Sequence, residues 1–183
     1  MENIKSVVYL QPLALEELIR AVIETYNRES IGDVFGYTVK RKSPLYVVEV
    51  VHPIQIATRK PTEVSADANY EDRTSWSALG DRLGDFHSHN LYYTKGGRSP
   101  GTIHLKSDFD VECLRENPQL ISIVVAINKT SRVSPVTVND KLIAGTVKVD
   151  GTMYRVGIGV YIYNNRVRKI DIGTSVKALK RIF

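Results

Sequence analysis

The chain has 183 residues, of which 43% are hydrophobic and 25% charged, a composition that fits one globular domain over residues 1–183 and excludes fibrous and disordered classes. Its formal charge of +5 is uneven: residues 128–183 hold eleven Lys or Arg against three Asp or Glu, leaving fourteen against seventeen in residues 1–127. Dispersed cations on strand faces explain that bias as solvation, so nucleic-acid binding is not expected.

The opening residues, MENIKSVVYLQPLALEELIRAV, carry acids within their apolar stretch and no small-residue cleavage site, which argues against a signal peptide. No run of about 18 apolar residues occurs to cross a membrane. A soluble, cytoplasmic protein is expected. Cys113 is the single cysteine, so there is no internal disulfide and no metal site built mainly from thiolates. Its position behind DFDVE on a predicted helix suits a small buried apolar residue.

From Leu13 to Asn27, Leu15, Leu18, Ile19, Val22 and Ile23 recur at helical spacing, with Pro12 suited to the first turn. ESIGDVFGYTVKR and PLYVVEVVHPIQIATR then read as two strands joined near residues 42–44. Residues 60–70 are polar and loop-like, and EDRTSWSALGDRL has helical character. GDFHSH is a short strand candidate, residues 90–106 form a Gly-rich loop, and SDFDVECLREN opens a helix with Ser107 or Asp108 as its N-cap.

QLISIVVAIN is the most apolar run and predicts a central strand buried on both faces. LIAGTVKV, TMYRVGIGVYIYN and RVRKIDIG follow as strands, with Asp150-Gly151 and Asn164-Asn165 as hairpin turns, and TSVKALKRIF predicts a short terminal helix. Helices and strands interleave early and strands dominate late. This order predicts an α/β protein, a mixed β-sheet with helices packed on it.

The chemistry concentrates at His87 and His89. Residues i and i+2 of a strand project to one face, so the two imidazoles can point at a single ion while Ser88 faces away. A catalytic zinc takes three protein ligands and leaves a fourth position open, so the pair needs a carboxylate. Asp110, in the first turn of the following helix, is the candidate, with Asp108 as local competitor.

His-x-His followed by Ser-x-x-Asp at the head of a helix resembles the signature of the JAMM (MPN+) zinc metallopeptidases. The resemblance extends upstream, where Glu29-Ser30-Ile31-Gly32-Asp33-Val34-Phe35-Gly36 follows the first helix as a Glu and two spaced glycines do in that family. It implies zinc held by His87, His89 and Asp110, Glu29 as the catalytic acid/base, and Ser107 as a donor to the oxyanion. It also implies a mixed sheet flanked by helices, the JAMM/MPN fold shared with cytidine deaminases. The implied activity is hydrolysis of isopeptide or peptide bonds, at the C-terminus of ubiquitin-like or sulfur-carrier proteins, by a single-domain chain of the prokaryotic type with room for a homodimer. The alternative is a non-catalytic MPN-type scaffold or binding protein.

Each of these residues also has a plain structural role open to it. Glu29 can be a solvated helix-end residue, Ser107 a helix cap, and His52 a structural residue of an apolar strand. His104 lies in the loop near the site and is not expected as a ligand. Two features depart from the family pattern: seventeen residues, 90–106, separate His89 from Ser107 where seven are usual, and Asn90 stands where a Pro commonly follows the second His. Long loops close at low entropic cost, about 0.6 kcal/mol per doubling, so the insertion need not displace the ligands. Its basic, aromatic, acid-free composition suits a clamp on an extended peptide, a surface that steers an acidic partner, an inhibitory flap or only a flexible loop.

Overall fold

The computed structural model describes residues 6–54, 58–59, 64–65, 80–90, 92–94, 97–99, 108–118 and 120–183. In chain order the elements are β1 (Val7–Leu10), α1 (Pro12–Glu24), β2 (Ile31–Val39), β3 (Leu45–Pro53), β4 (Thr58–Arg59), β5 (Val64–Ser65), β6 (Asp81–His89), β7 (Tyr92–Thr94) and β8 (Gly97–Ser99). Then come α2 (Asp108–Glu116), β9 (Ile121–Lys129), β10 (Thr137–Asn139), β11 (Leu142–Val149), β12 (Thr152–Tyr163), β13 (Val167–Thr174) and α3 (Val176–Ile182).

The expected α/β sheet flanked by helices, in the JAMM/MPN (cytidine deaminase-like) form, is not what the chain builds. The main sheet closes on itself. β13, β1, β3, β2, β6 and β9 are neighbours in that order, and β12 joins β9 on one edge and β13 on the other, completing a seven-strand barrel. The device is the length of β12. One of its edges pairs with β9 from Tyr154 to Ile162, while the other is shared between β11, through Ile158, and β13, from Val160. A strand used on both edges along its length leaves no open side there, and closure removes the unpaired N–H and C=O groups that an open edge exposes.

Curvature enters through irregularities in β2, whose register shifts between Val34 and Phe35 against β6 and between Phe35 and Gly36 against β3. Such bulges bend a strand and increase its twist. The backbones approach closely there: a Cβ at Gly84 would stand 1.8 Å from the Ile121 carbonyl oxygen, so only glycine fits.

Inside, alternate residues of each strand form one core. Ile121, Ile123, Val125 and Ile127 of β9 meet Val156, Ile158 and Val160 of β12, Val8 and Leu10 of β1, and Phe86 of β6. The α1 stripe Leu15, Leu18, Ile19 and Val22 joins this core, as its helical spacing predicts. Full burial of side chains this size stabilises by roughly 1.5–3 kcal/mol each. Pro12 starts α1, and at its end both the N–H and the hydroxyl of Thr25 donate to the Ala21 carbonyl. α3 is capped by Ser175, whose side chain accepts from the Ala178 N–H. On the outside, Leu114 of α2 packs on Val124 and Tyr161.

Several local expectations meet a different outcome. Asp81–Leu83, read as the end of a helix, begin the nine-residue strand β6, and residues 71–79 of that predicted helix lie outside the described residues. The polar connection after Lys129 contains β10, paired with β11. Within 90–106 the chain forms an antiparallel ribbon, β7 with β8. Among the described residues, no helix is long and apolar enough to cross a membrane.

Candidate functional site

The site lies on the outer face of the barrel, towards the C-terminal end of β6. Phe86 and Ser88 turn inward and are fully buried, so Asp85, His87 and His89 share the outward face. The imidazoles of His87 and His89 have centroids 5.0 Å apart at 56°. They are sheltered: His89 is 7% exposed and the His87 side chain 12%.

Neighbouring strands extend these positions sideways. Ile31 of β2 and Val124 of β9 stand level with His87, and Asp33 and Ser122 stand level with Asp85. The Ser122 hydroxyl donates to Asp85 Oδ1 at 2.8 Å, and that oxygen lies 4.0 Å from His87 Nδ1. On the same row, Arg82 Nε meets the buried Asp33 Oδ1 at 2.8 Å, and His52 is the β3 register partner of Asp33. The Arg82 pair offsets the cost of burying the Asp33 charge.

The β2–β6 pairing continues past its last ladder pair. The Ser88 N–H donates to the Ser30 carbonyl at 2.9 Å, and the Ser30 N–H donates to Ser88 Oγ at 2.8 Å. The Asn90 side-chain amide donates to the Arg28 carbonyl. Ser30 is level with Ser88 and Arg28 with Asn90, so the position between them, Glu29, is level with His89. Glu29 is half-buried and linked to its surroundings.

α2 connects the parallel neighbours β6 and β9, and a helix in such a crossover runs back against the strands. Leu114 packs on Val124, which is level with His87. Position 110 lies in the first turn of α2, one turn before Leu114. The register thus carries Glu29, His87 and His89 to one end of one face, while α2 packs against β12 and β13.

Asp108 is the first residue of α2, whereas Ser107 and His104 lie outside the described residues. Cys113 is half-buried rather than fully buried. Among the described side chains, no three His, Cys, Asp or Glu cluster as metal ligands. The described donors are a two-imidazole pair, and two nitrogens with one carboxylate oxygen suit zinc. Sequence reasoning missed Asp85, Ser122 and Asn90. Asp85 was within its reach, since it stands two residues before His87 on the same strand.

Burial pushes the Tyr161 phenol up on this outer face. The Lys169 ammonium, in register with Tyr161, is pushed down first by burial and then by the Lys141 charge.

No family model matches the chain, and no curated protein does. Among solved structures, the chain is similar to the solution structure of protein DSY2949 from Desulfitobacterium hafniense, at a TM-score of 0.55 and 18% identity over 92% of each chain. At that identity the likeness concerns the fold.

Proposed function

We propose that the chain is a zinc-dependent metallopeptidase with His87, His89 and Asp110 as metal ligands. The observation that carries this reading is the meeting of His87 and His89 on one sheltered face with Glu29 level with His89. The residue pattern His-x-His then Ser-x-x-Asp supports it, although the barrel is not the expected α/β sheet. Zinc held by these residues would supply a Lewis acid.

The chain's own residues supply the rest. Glu29 takes a proton from water on the outer face and passes it to the leaving amine. Ser107 donates a hydrogen bond to the carbonyl oxygen as charge grows on it. Asp85, fixed by Ser122, stands 4.0 Å from His87 Nδ1 and places a carboxylate beside that imidazole. The substrate class, the C-terminal tail of a ubiquitin-like or sulfur-carrier protein, and a cytoplasmic setting rest on the resemblance of the site residues to the JAMM family.

The test is Glu29→Gln assayed on a fusion of a ubiquitin-like protein to a reporter. The variant is expected to keep its zinc and lose cleavage by a factor of about 10²–10⁴. Equal cleavage by the variant and the parent would remove Glu29 as the base. Zinc-free parent protein that still binds the fusion without cutting it would replace the enzyme by a binding module.

A further inference from the structure

We propose that Asn90 is a positioning residue that holds Glu29 over the histidine pair; the inference rests on the metallopeptidase reading above. The regular β2–β6 ladder ends at Ile31 and His87. Beyond it, Glu29 sits in the connection from α1, after Asn27, whose φ of 80° marks a turn of the chain. The backbone at Glu29 lies two residues beyond the last ladder pair.

Three hydrogen bonds continue the pairing past the ladder, and they fall on both sides of Glu29. Towards the C-terminus, Ser30 is tied to Ser88 through its carbonyl at 2.9 Å and its N–H at 2.8 Å. Towards the N-terminus, the Arg28 carbonyl accepts from the Asn90 amide. Both anchors belong to the histidine-bearing segment: Ser88 lies between His87 and His89, and Asn90 follows His89 directly. The backbone on both sides of Glu29 is thereby tied to the histidine-bearing segment.

The chemistry explains why Asn serves at position 90. Asn90 is 3% exposed and Ser88 and Ser30 are 0% exposed, so water competes little for these bonds and a broken one leaves a buried group unpaired. An amide donates to a carbonyl, whereas a carboxylate of the same shape would repel it and a proline has no side-chain donor. Asn90 occupies the position where the related pattern has Pro, so this device belongs to the present chain. Base position matters because a displacement of 1 Å can cost roughly 10²-fold in rate.

The test needs no substrate. Co2+ is bound to the protein, and the pH midpoint of its visible absorption is recorded for the parent, Glu29→Gln, Asn90→Ala and the double variant. Asn90→Ala is expected to move the midpoint in the same direction as Glu29→Gln and to add nothing in the double variant. Its Co2+ affinity should stay within about tenfold of the parent, at or below the low end of the roughly 10–100-fold loss typical of residues that orient ligands. Ser88→Ala, which removes the Oγ acceptor of the Ser30 N–H and keeps the backbone bond to the Ser30 carbonyl, should act in the same direction.

If Asn90→Ala left the midpoint at the parent value while Glu29→Gln moved it, the inference would be overturned. It would be overturned as well if Asn90→Ala moved the midpoint equally in the Glu29→Gln background. A parent that binds no Co2+, or a Glu29→Gln variant with an unchanged midpoint, would overturn the underlying reading and the inference with it.

Discussion

Ile31 on β2 stands in register with His87 on β6, and that one pairing sets the geometry of the whole site. Two residues further on, the same antiparallel spacing brings Glu29 level with His89, and two residues back it brings Asp33 level with Asp85. A slip of one residue in β2 would turn Glu29 to the opposite face. The site therefore depends on whatever fixes this register.

Gly84 is one such fixing point. Its absent side chain lets β6 lie against the Ile121 carbonyl, and a Cβ there would come within 1.8 Å. Gly84→Ala is expected to destabilise the fold by about 2–4 kcal/mol, measured by urea unfolding. A loss below about 0.5 kcal/mol, the range of surface substitutions, would show that the two backbones separate freely.

Phe86 anchors the inward face of the same strand and is fully buried beneath His87 and Asp85. Phe86→Ala should cost about 3–5 kcal/mol from lost burial and a residual cavity. Equilibrium unfolding would measure it, and zinc affinity should fall together with stability because the histidines ride on the same backbone.

Asp85 separates a local electrostatic effect from a global one. Its Oδ1 accepts from Ser122 and lies 4.0 Å from His87 Nδ1. Asp85→Asn is expected to weaken zinc binding by about 10-fold or more, with a metal-free melting temperature close to that of the parent. Competition against a chromogenic chelator reads the first quantity and calorimetry the second. Unchanged affinity would leave Asp85 as a solvated strand residue.

Lys169 gives a pH signature. Burial and the Lys141 charge hold its native pKa below the ordinary 10.5, so folding disfavours its protonated form. Its contribution to stability is fully present above 10.5 and is lost as pH falls through the lowered native value. Between those values the unfolded chain binds more protons, and stability attributable to this group rises with pH. Lys169→Met should raise the melting temperature at neutral pH and flatten that alkaline rise. A lower melting temperature at neutral pH would contradict the assignment.

Much of the architecture was legible in the sequence because it is written locally. The α1 stripe, the β9 run, the Asp150-Gly151 turn with φ of 46° and 77°, and the Ser175 cap all depend on nearest neighbours along the chain. Barrel closure is not local. It depends on β12 pairing with β9 on one edge while passing from β11 to β13 on the other, and hydrophobic alternation does not specify an edge partner. β1 was missed because four residues before a strong helix show little periodicity, although they join β13 to β3 and complete the ring. In the site, His87 and His89 were legible by their spacing. The Asn90 anchor was not, because its partner Arg28 is 62 residues away.

Metal content tests the proposed zinc site most directly. Elemental analysis of the parent protein should find close to one zinc per chain, and His89→Ala and Asp110→Ala should each lose it while keeping a cooperative unfolding transition. A folded parent that remains metal-free after equilibration with excess zinc would contradict the metallopeptidase reading.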